Sequence, residues 1–599
     1  MSQPQKPKQG FNLSSWALNN QSFVVFLMLL TVLAGTFSFL NLSRGEDPPF
    51  TIKTMVVSAA WPGATMQDTA SLLTNLIEKK LEETPNLDHV QSYSRPGEAV
   101  VFVYLRDDTK PAQVTDAWYQ VRKKMDDLAP SLPEGVRGPF LNDEFADTFG
   151  IIYGFQYEGF SAGDIRQRVD NVRTRLMAVP DVGKIELIGV QPEQITIAFQ
   201  TRKLAALNLN IDAVIASLQE QNAVAPAGTI ETASEKIAVT VDGAFTSEDS
   251  IRKVVLRVDN RFVPLTDIAE VSRGPIDPPS PGYRVNGKPA IGLAISVAEG
   301  ADVLKFGRQI DALMAEITPE LPYGIDVVKV ADQTEVVDHA IEHFIKVLLE
   351  AIAIVLAVSF LSLGTRAGLV VTVSIPLVLA MTFVGMELAG IGLQRISLGA
   401  LIIALGLLVD DAMITVEAMV GRLEHGWEKA RAATYAYETT AFPMLTGTLV
   451  MIAGFVPVGF AASSAGEYCY SLFMVVLIAL STSWIVAVVF APLLGVWILP
   501  KTVKPHKEGG GRIMRGYARI LDLALKHRLA TLSLAVLAFG ASLVGFTQIE
   551  EQFFPTADRP ELMVSLTLPQ NASYAATHAD AKKLEAFLLD AADVDHFST

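Results

Sequence analysis

The sequence predicts a polytopic α-helical membrane protein that carries a large soluble insert of α/β units. Three observations support this reading. Half of the 599 residues are hydrophobic, more than an ordinary soluble protein needs. Seven apolar runs reach spanning length. Between the first and second of them, strand-like and helix-like runs alternate, the pattern of βαβ units. The formal charge of −16 is concentrated in residues 41–340, so the soluble part is acidic, which argues against a nucleic-acid partner. The single cysteine, Cys469, excludes an internal disulfide.

Taken in order, residues 1–15 are a polar terminus with Lys6 and Lys8, and residues 16–40 form the first span, with its apolar run at 23–40. It lacks a small-residue cleavage site and reads as an uncleaved anchor. Strand-like runs follow at 54–60, 99–105, 151–156, 195–199, 290–297 and 325–330. Amphipathic helical runs lie between them at 65–83, 111–128, 161–179, 211–221 and 303–318. Turn signals such as Pro62-Gly63, Pro133-Glu-Gly135 and Pro322-Tyr-Gly324 separate them. Spans return within 339–499, at 339–361, 367–388, 397–420, 441–461 and 471–499. A basic loop, 500–528, precedes a seventh span at 529–548. In that loop Ile513, Tyr517, Ile520, Leu521 and Leu525 recur at helical spacing. This predicts an amphipathic helix, either on the membrane face or as a plain surface linker. Positive charge falls on one side of the spans: Lys6, Lys8, Arg366, Arg422, Lys429, Arg431 and eight Lys or Arg in 500–528. The opposite loops hold only Arg395. By the positive-inside rule the N-terminus is cytoplasmic and residues 41–338 face the other side, the periplasm of a bacterium.

The fourth span carries Asp410 and Asp411 side by side near its middle. A carboxylate at that depth costs about 2.5–3.5 kcal/mol on insertion scales, and two ionised neighbours also repel each other. On a helix they point about 100° apart, so they cannot share one direction. This pair is the candidate proton site. The alternative is a pair held neutral by protonation or hydrogen bonds with no transport role.

The chain also repeats its own beginning. Pro48 matches Pro555, Val57 matches Val564, Ser58 matches Ser565, Pro62 matches Pro569 and Asp88-His89 matches Asp595-His596, every pair 507 residues apart. The seventh span then falls opposite the first, which is a parallel-repeat plan. The second copy, 549–599, reaches only the counterpart of Ser92. The expectation is a truncated chain: one complete half and the start of a second periplasmic repeat.

With these features the sequence resembles the resistance–nodulation–division (RND) efflux permeases, in the hydrophobe/amphiphile exporter branch. The residues that carry the resemblance are Glu46-Asp-Pro48, Trp61-Pro-Gly-Ala64, Asn222 with Pro226-Ala-Gly228, Asn286-Gly287, and Gly406-Leu-Leu-Val-Asp-Asp-Ala412 followed by Glu417. The adjacent acids favour the drug-exporter branch over the metal-ion exporters, as does the lack of paired methionines in the periplasmic segment. The resemblance implies twelve spans in a complete form, a homotrimer, a periplasmic adaptor and an outer-membrane channel. It also implies periplasmic α/β porter subdomains at 41–135 and at 136–182 plus 273–332, with a docking segment inserted at 183–272. The link from Gly228 to Ile237 is short for that family's long docking arm. The implied activity is drug/proton antiport of hydrophobic or amphipathic compounds across the Gram-negative inner membrane. In the family a lysine from the second half faces the acidic pair; spans two to six here offer no mid-membrane Lys or Arg, since Lys346 and Arg395 lie near span ends.

Other candidates carry alternative readings. Glu417, seven residues from Asp410, is either on the proton path or a snorkelling end charge. Ser481, Thr482 and Ser483 either hold water near that path or make helix–helix hydrogen bonds. Phe140, Phe145, Phe149, Tyr153, Phe155 and Phe160 are either an aromatic substrate cleft or core. His339 and His343 have a metal-like spacing but no third ligand, and read as interfacial. No nucleotide loop, Ser/His/Asp arrangement or metal cluster points to an enzyme or to a cofactor. A non-transporting fragment and a metal-ion exporter are the competing readings.

Overall fold

The structure is a computed structural model, and it describes residues 12–144, 148–207, 209–222, 224–232, 234–258, 261–277, 279–500, 512–549, 561–569 and 572–599. Seven of its helices are long and apolar enough to cross a membrane. We number them span 1 (Gln21–Asn41), span 2 (Gln333–Leu361), span 3 (Thr365–Leu388), span 4 (Arg395–Glu424), span 5 (Lys429–Gly459), span 6 (Ser464–Ile498) and span 7 (Arg528–Phe546). Each falls on an expected run. Most extend past it, taking in polar residues such as Glu335 and Glu424 near their ends. The loop before span 7 forms a helix over Arg512–Lys526, with Tyr517, Ile520, Leu521 and Leu525 exposed along it.

The chain divides into two units: residues 1–148, 297–308 and 333–561, and residues 149–296, 309–332 and 562–599. In the first, spans 3, 4 and 6 form the centre of the helical bundle, about half of each being buried. Span 1 crosses span 3 where Gly35 meets Ala380. A Cβ at Gly35 would lie 2.5 Å from the Ala380 Cα and 2.6 Å from its carbonyl oxygen, the close backbone approach that small residues permit between membrane helices. Gly35→Val is therefore expected to lower stability by about 1–3 kcal/mol or more through overpacking, which a drop in detergent melting temperature checks.

The soluble part of this unit is a four-stranded sheet of β1 (Thr54–Ala60), β2 (Leu87–Arg95), β3 (Glu98–Leu105) and β4 (Arg137–Asn142), ordered β2-β3-β1-β4. Residues alternate in and out along β1, burying Met55, Val57 and Ala59. The helix Pro111–Leu128 covers them with Val114, Ala117, Trp118, Val121 and Met125, one apolar stripe at helical spacing. Here the structure corrects the expected boundary at 135/136. β4 pairs with β1, so this sheet continues to Asn142, past that boundary. Gly138-Pro139 masks a strand that Pro tolerates because β4 is an edge.

In the second unit, β5 (Ile151–Tyr157) and β6 (Val182–Ile188) come first. The inserted segment supplies β7 (Glu193–Phe199), β8 (Val224–Glu231), β9 (Lys236–Asp242), β10 (Val255–Val258), β11 (Arg261–Pro264) and β12 (Ala269–Pro275). The chain returns through β13 (Arg284–Val285), β14 (Lys288–Val297) and β15 (Ile325–Asp332). The main sheet is ordered β13-β14-β5-β15, with β6 also paired to β14. So β6 extends this sheet and the insert begins later than residue 183; β12 pairs with β7, so the insert ends at Pro275 rather than 272. The insert has its own core, which includes Leu204, Val214, Leu218, Leu256, Leu265 and Ile268. β8 and β9 form a short hairpin in which Glu231 pairs with Lys236, consistent with the short Gly228–Ile237 link.

The repeat reappears in the fold. Shifted by 507, span 1 begins where span 7 begins, at Arg528. The helical stretch Met66–Leu81 falls within one residue of the helix Tyr574–Leu589. That second-copy helix lies in the second unit. There Arg284 and Thr599 exchange backbone hydrogen bonds of 2.9 Å, and the Asn286 N–H donates to the Phe597 carbonyl at 2.9 Å.

Candidate functional site: an acidic pair inside span 4

Span 4 is started by Gln394, whose side-chain oxygen accepts from the backbone N–H groups of Ile396 and Ser397 at 2.7 and 3.0 Å. From there it runs thirty residues without proline. One face, Leu401, Ala404, Leu405, Leu408, Asp411, Ala412, Thr415 and Val416, is buried. The opposite face, Ile403, Gly406, Asp410, Ile414 and Glu417, is exposed in this structure. The helical twist thus separates the two acids as expected. Asp411 is only 6% exposed and points into the bundle, while Asp410 and Glu417 share the open face.

Span 6 supplies the neighbour of Asp411. The Ser483 hydroxyl donates to the Leu408 carbonyl at 3.1 Å and lies within hydrogen-bonding reach of the Asp411 carboxyl. The next indole, Trp484, donates to the Ala441 carbonyl of span 5 at 2.9 Å, fixing the rotation of span 6. Directly beyond, Val486–Phe490 form a π-helical turn, a distortion frequent at functional positions. Thr482 points elsewhere: its hydroxyl donates back to Ile478 and Ala479 and lies 3.4 Å from the Thr382 hydroxyl of span 3. Ser481 is exposed. Of the three hydroxyls, Ser483 is the one against the acid, although spacing alone ranked Ser481 and Thr482 beside it.

The aromatic set does not form one lining. Phe155 is fully buried and Tyr153 is 5% exposed, both in the core of the second unit. The Tyr153 hydroxyl donates to Asp311 at 2.8 Å. Burial first, and then that bond, raise its pKa well above the usual phenol range. These rings support the sheet and offer no surface to a ligand, which removes Phe155 from the candidate contacts. Phe140 is 58% exposed on β4 of the first unit, Phe149 is half-buried, and Phe145 lies outside the described residues. His339 and His343 are exposed, and among the described residues no group of three or more His, Cys, Asp or Glu could hold a metal.

A second polar network escaped spacing arguments. It joins residues 43–53 to the starts of spans 4 and 6 through Glu46, Asp47, Lys53, Asp107, Arg395 and Glu467. The Ser464 backbone N–H and hydroxyl hold the Asp107 carboxyl below the usual carboxylate range. The sequence signal was a charge at the first turn of each span, easily taken for an ordinary interfacial residue.

Seven helices long and apolar enough to cross a membrane among the described residues, soluble α/β sheets in each unit, and a carboxyl pair halfway along a central helix fit a multi-pass membrane protein. The sequence is matched to the AcrB/AcrD/AcrF family over residues 13–599, and the chain belongs to this family of RND hydrophobe/amphiphile efflux permeases. It is 27% identical to the multidrug export protein AcrF of Escherichia coli, over 94% of this chain and 57% of the relative. It is 26% identical to the solvent-resistant pump membrane transporter SrpB of Pseudomonas putida, over 98% and 58%. It is also 26% identical to the toluene efflux pump membrane transporter TtgB of the same species, over 97% and 58%. The chain thus spans little more than half the length of the curated relatives it matches.

Proposed function

We propose that the protein acts in proton-driven efflux of hydrophobic or amphipathic compounds, as the inner-membrane part of a tripartite pump. The observation that carries this reading is Asp411, buried in the centre of the bundle beside the Ser483 hydroxyl and next in sequence to Asp410. A buried carboxyl in a membrane helix is retained where a charge must be made and discharged. Proton uptake from the periplasm neutralises the pair, spans 4 and 6 shift, and the soluble units change their opening. Asp410 and Glu417, on the open face of span 4, mark the side from which a cationic partner and a proton path reach the pair. The basic loops support a cytoplasmic N-terminus and periplasmic sheets. The two sheets act as porter subdomains and the insert as a docking segment. Family membership supports a homotrimer of twelve-span protomers working with an adaptor and an outer-membrane channel, and names such as multidrug export and toluene efflux support the substrate class.

The test is dye accumulation in an efflux-deficient Gram-negative host that expresses the gene's whole reading frame with its adaptor and channel. Accumulation is expected to fall and to recover when a protonophore is added. Unchanged accumulation with the protein inserted and partnered would sink the reading.

A further inference from the structure

Residues 43–53 leave span 1 and enter β1, and along the way they are fastened to two other spans. Ser43 accepts from the Leu393 N–H at 2.7 Å, Gly45 donates to the Leu393 carbonyl at 3.0 Å, and Glu46 accepts from the Arg395 N–H at 3.0 Å. The segment thus lies alongside the turn that begins span 4. Gly392 allows that approach, since a Cβ there would sit 2.5 Å from the Ser43 hydroxyl oxygen. The Glu46 side chain is 5% exposed. It pairs with Arg395 at 3.1 Å and accepts from the Gln333 amide, at the start of span 2, at 2.9 Å.

The next residues turn to span 6. Asp47 accepts from the Tyr468 hydroxyl at 2.8 Å, and Phe50 meets the Tyr468 ring edge-on at 6.1 Å. The Thr51 N–H donates to Glu467 at 2.9 Å. Lys53, with 7% of its side chain exposed, pairs with Glu467 at 3.1 Å and donates to the Asp107 carbonyl at 2.6 Å and the Ser464 hydroxyl at 3.2 Å. Ser464 in turn donates twice to the Asp107 carboxyl, at 2.9 and 2.7 Å. Thr54, the next residue, is the first of β1. Gln394 closes the ring by donating to Ser471 of span 6 at 2.8 Å.

We propose that this strap is the mechanical link of the pump: Glu46 and Lys53 are positioning residues through which a shift of span 4 against span 6 is delivered to strand β1. The inference rests on the antiport reading. Its logic is one of stiffness. Arg395 lies fifteen residues, hence about 22 Å of rigid helix, from Asp410. A displacement at the acids therefore arrives at Arg395 with little loss. A buried ion pair holds its geometry because either charge left alone in that site is strongly disfavoured. The strap has no slack to absorb the movement, since Glu46 is held to span 4 and Lys53 to span 6 with only six residues between them.

The experiment uses the complete transporter in proteoliposomes under an imposed pH gradient, reading extrusion of a lipophilic dye and proton flux together. Glu46→Gln and Lys53→Met are expected to keep proton flux near the wild-type rate while dye extrusion falls on the order of tenfold, the scale of a lost coupling free energy. The exchanged pair Glu46→Arg with Arg395→Glu is expected to regain most of the extrusion, which guards against simple misfolding. Extrusion at the wild-type rate in both single variants overturns the strap. So does a parallel loss of flux and extrusion, or an exchanged pair that recovers nothing. A wild-type protein that moves neither dye nor protons instead overturns the antiport reading, and the strap with it.

Discussion

Asp411→Asn is expected to leave the protein inserted, assembled and unable to concentrate anything against a gradient. The amide matches the carboxyl in size and can still meet the Ser483 hydroxyl that faces Asp411, so the packing of spans 4 and 6 survives. What it loses is the ability to gain and release a proton. One proton crossing 100 mV supplies about 2.3 kcal/mol, which at 1.4 kcal/mol per factor of ten sustains a gradient of about fifty-fold for one substrate per proton. Without the coupling that ratio collapses to one. Asp410→Asn is expected to do the same, because neutralising the open face of span 4 leaves a cationic partner without its counter-charge. The measurement is steady-state accumulation of a fluorescent lipophilic cation, with protein levels and trimer content checked beside it. Wild-type accumulation in either variant would remove that residue from the proton site.

Much of the fold was legible because membranes impose a simple rule. Every backbone group in hydrocarbon must bond within its own segment, so a long apolar run can only be a helix, and each of the seven runs became one. In the soluble part, β1 and the helix Pro111–Leu128 were read to the residue, since each has one buried face and a clean period. Nine of the fifteen strands among the described residues fall outside the expected runs, and two of them show why. β2 (Leu87–Arg95) has no fully buried residue, so its side chains carry little apolar alternation. β4 is interrupted by Gly138-Pro139 and pairs only as an edge. The subdomain boundaries moved for the same reason: sheet membership is decided by long-range pairing, which local pattern does not encode.

The site was legible to a different depth. A costly pair of carboxyls in an apolar helix announces itself, and the 100° step fixes that the two acids cannot share one direction; that Asp411 is the buried one depends on how span 4 packs. Which of Ser481, Thr482 and Ser483 meets the inner acid depends on the rotation of span 6, set by contacts such as Trp484 to Ala441. The aromatic cluster illustrates the opposite case. For Phe155 the sequence leaves cleft and core both open, and its place on the buried strand β5 decides for core. The strap was invisible because its partners, Glu46 and Arg395 or Lys53 and Glu467, are separated by hundreds of residues and resemble ordinary interfacial charges until the fold brings them together.

Arg284→Met carries the largest expected effect on stability. In the second unit, both oxygens of Glu585 accept from the Arg284 Nε, at 2.9 and 3.1 Å, and the Glu585 side chain is only 4% exposed. Arg284 also donates to the Gly287 carbonyl, so its fork ties β13 to the helix Tyr574–Leu589. Glu585 is the repeat counterpart of Glu78, whose carboxyl accepts instead from the Ser92 hydroxyl; the same position has acquired a cationic partner in the second copy. Removing one member of a buried pair strands the other, at a cost of about 3–5 kcal/mol. Local opening should therefore rise about a hundredfold or more, since each 1.4 kcal/mol is a factor of ten. Hydrogen–deuterium exchange across 574–589 and 597–599 reads this directly. The double variant Arg284→Met with Glu585→Leu removes both charges together and is expected to return exchange close to wild type, because an apolar pair of similar volume needs no counter-charge. Exchange that stays at the wild-type rate in Arg284→Met would show that this pair does not hold the second repeat to the sheet. Fast exchange in both variants would place the stabilisation in the Gly287 contact, which only Arg284 makes.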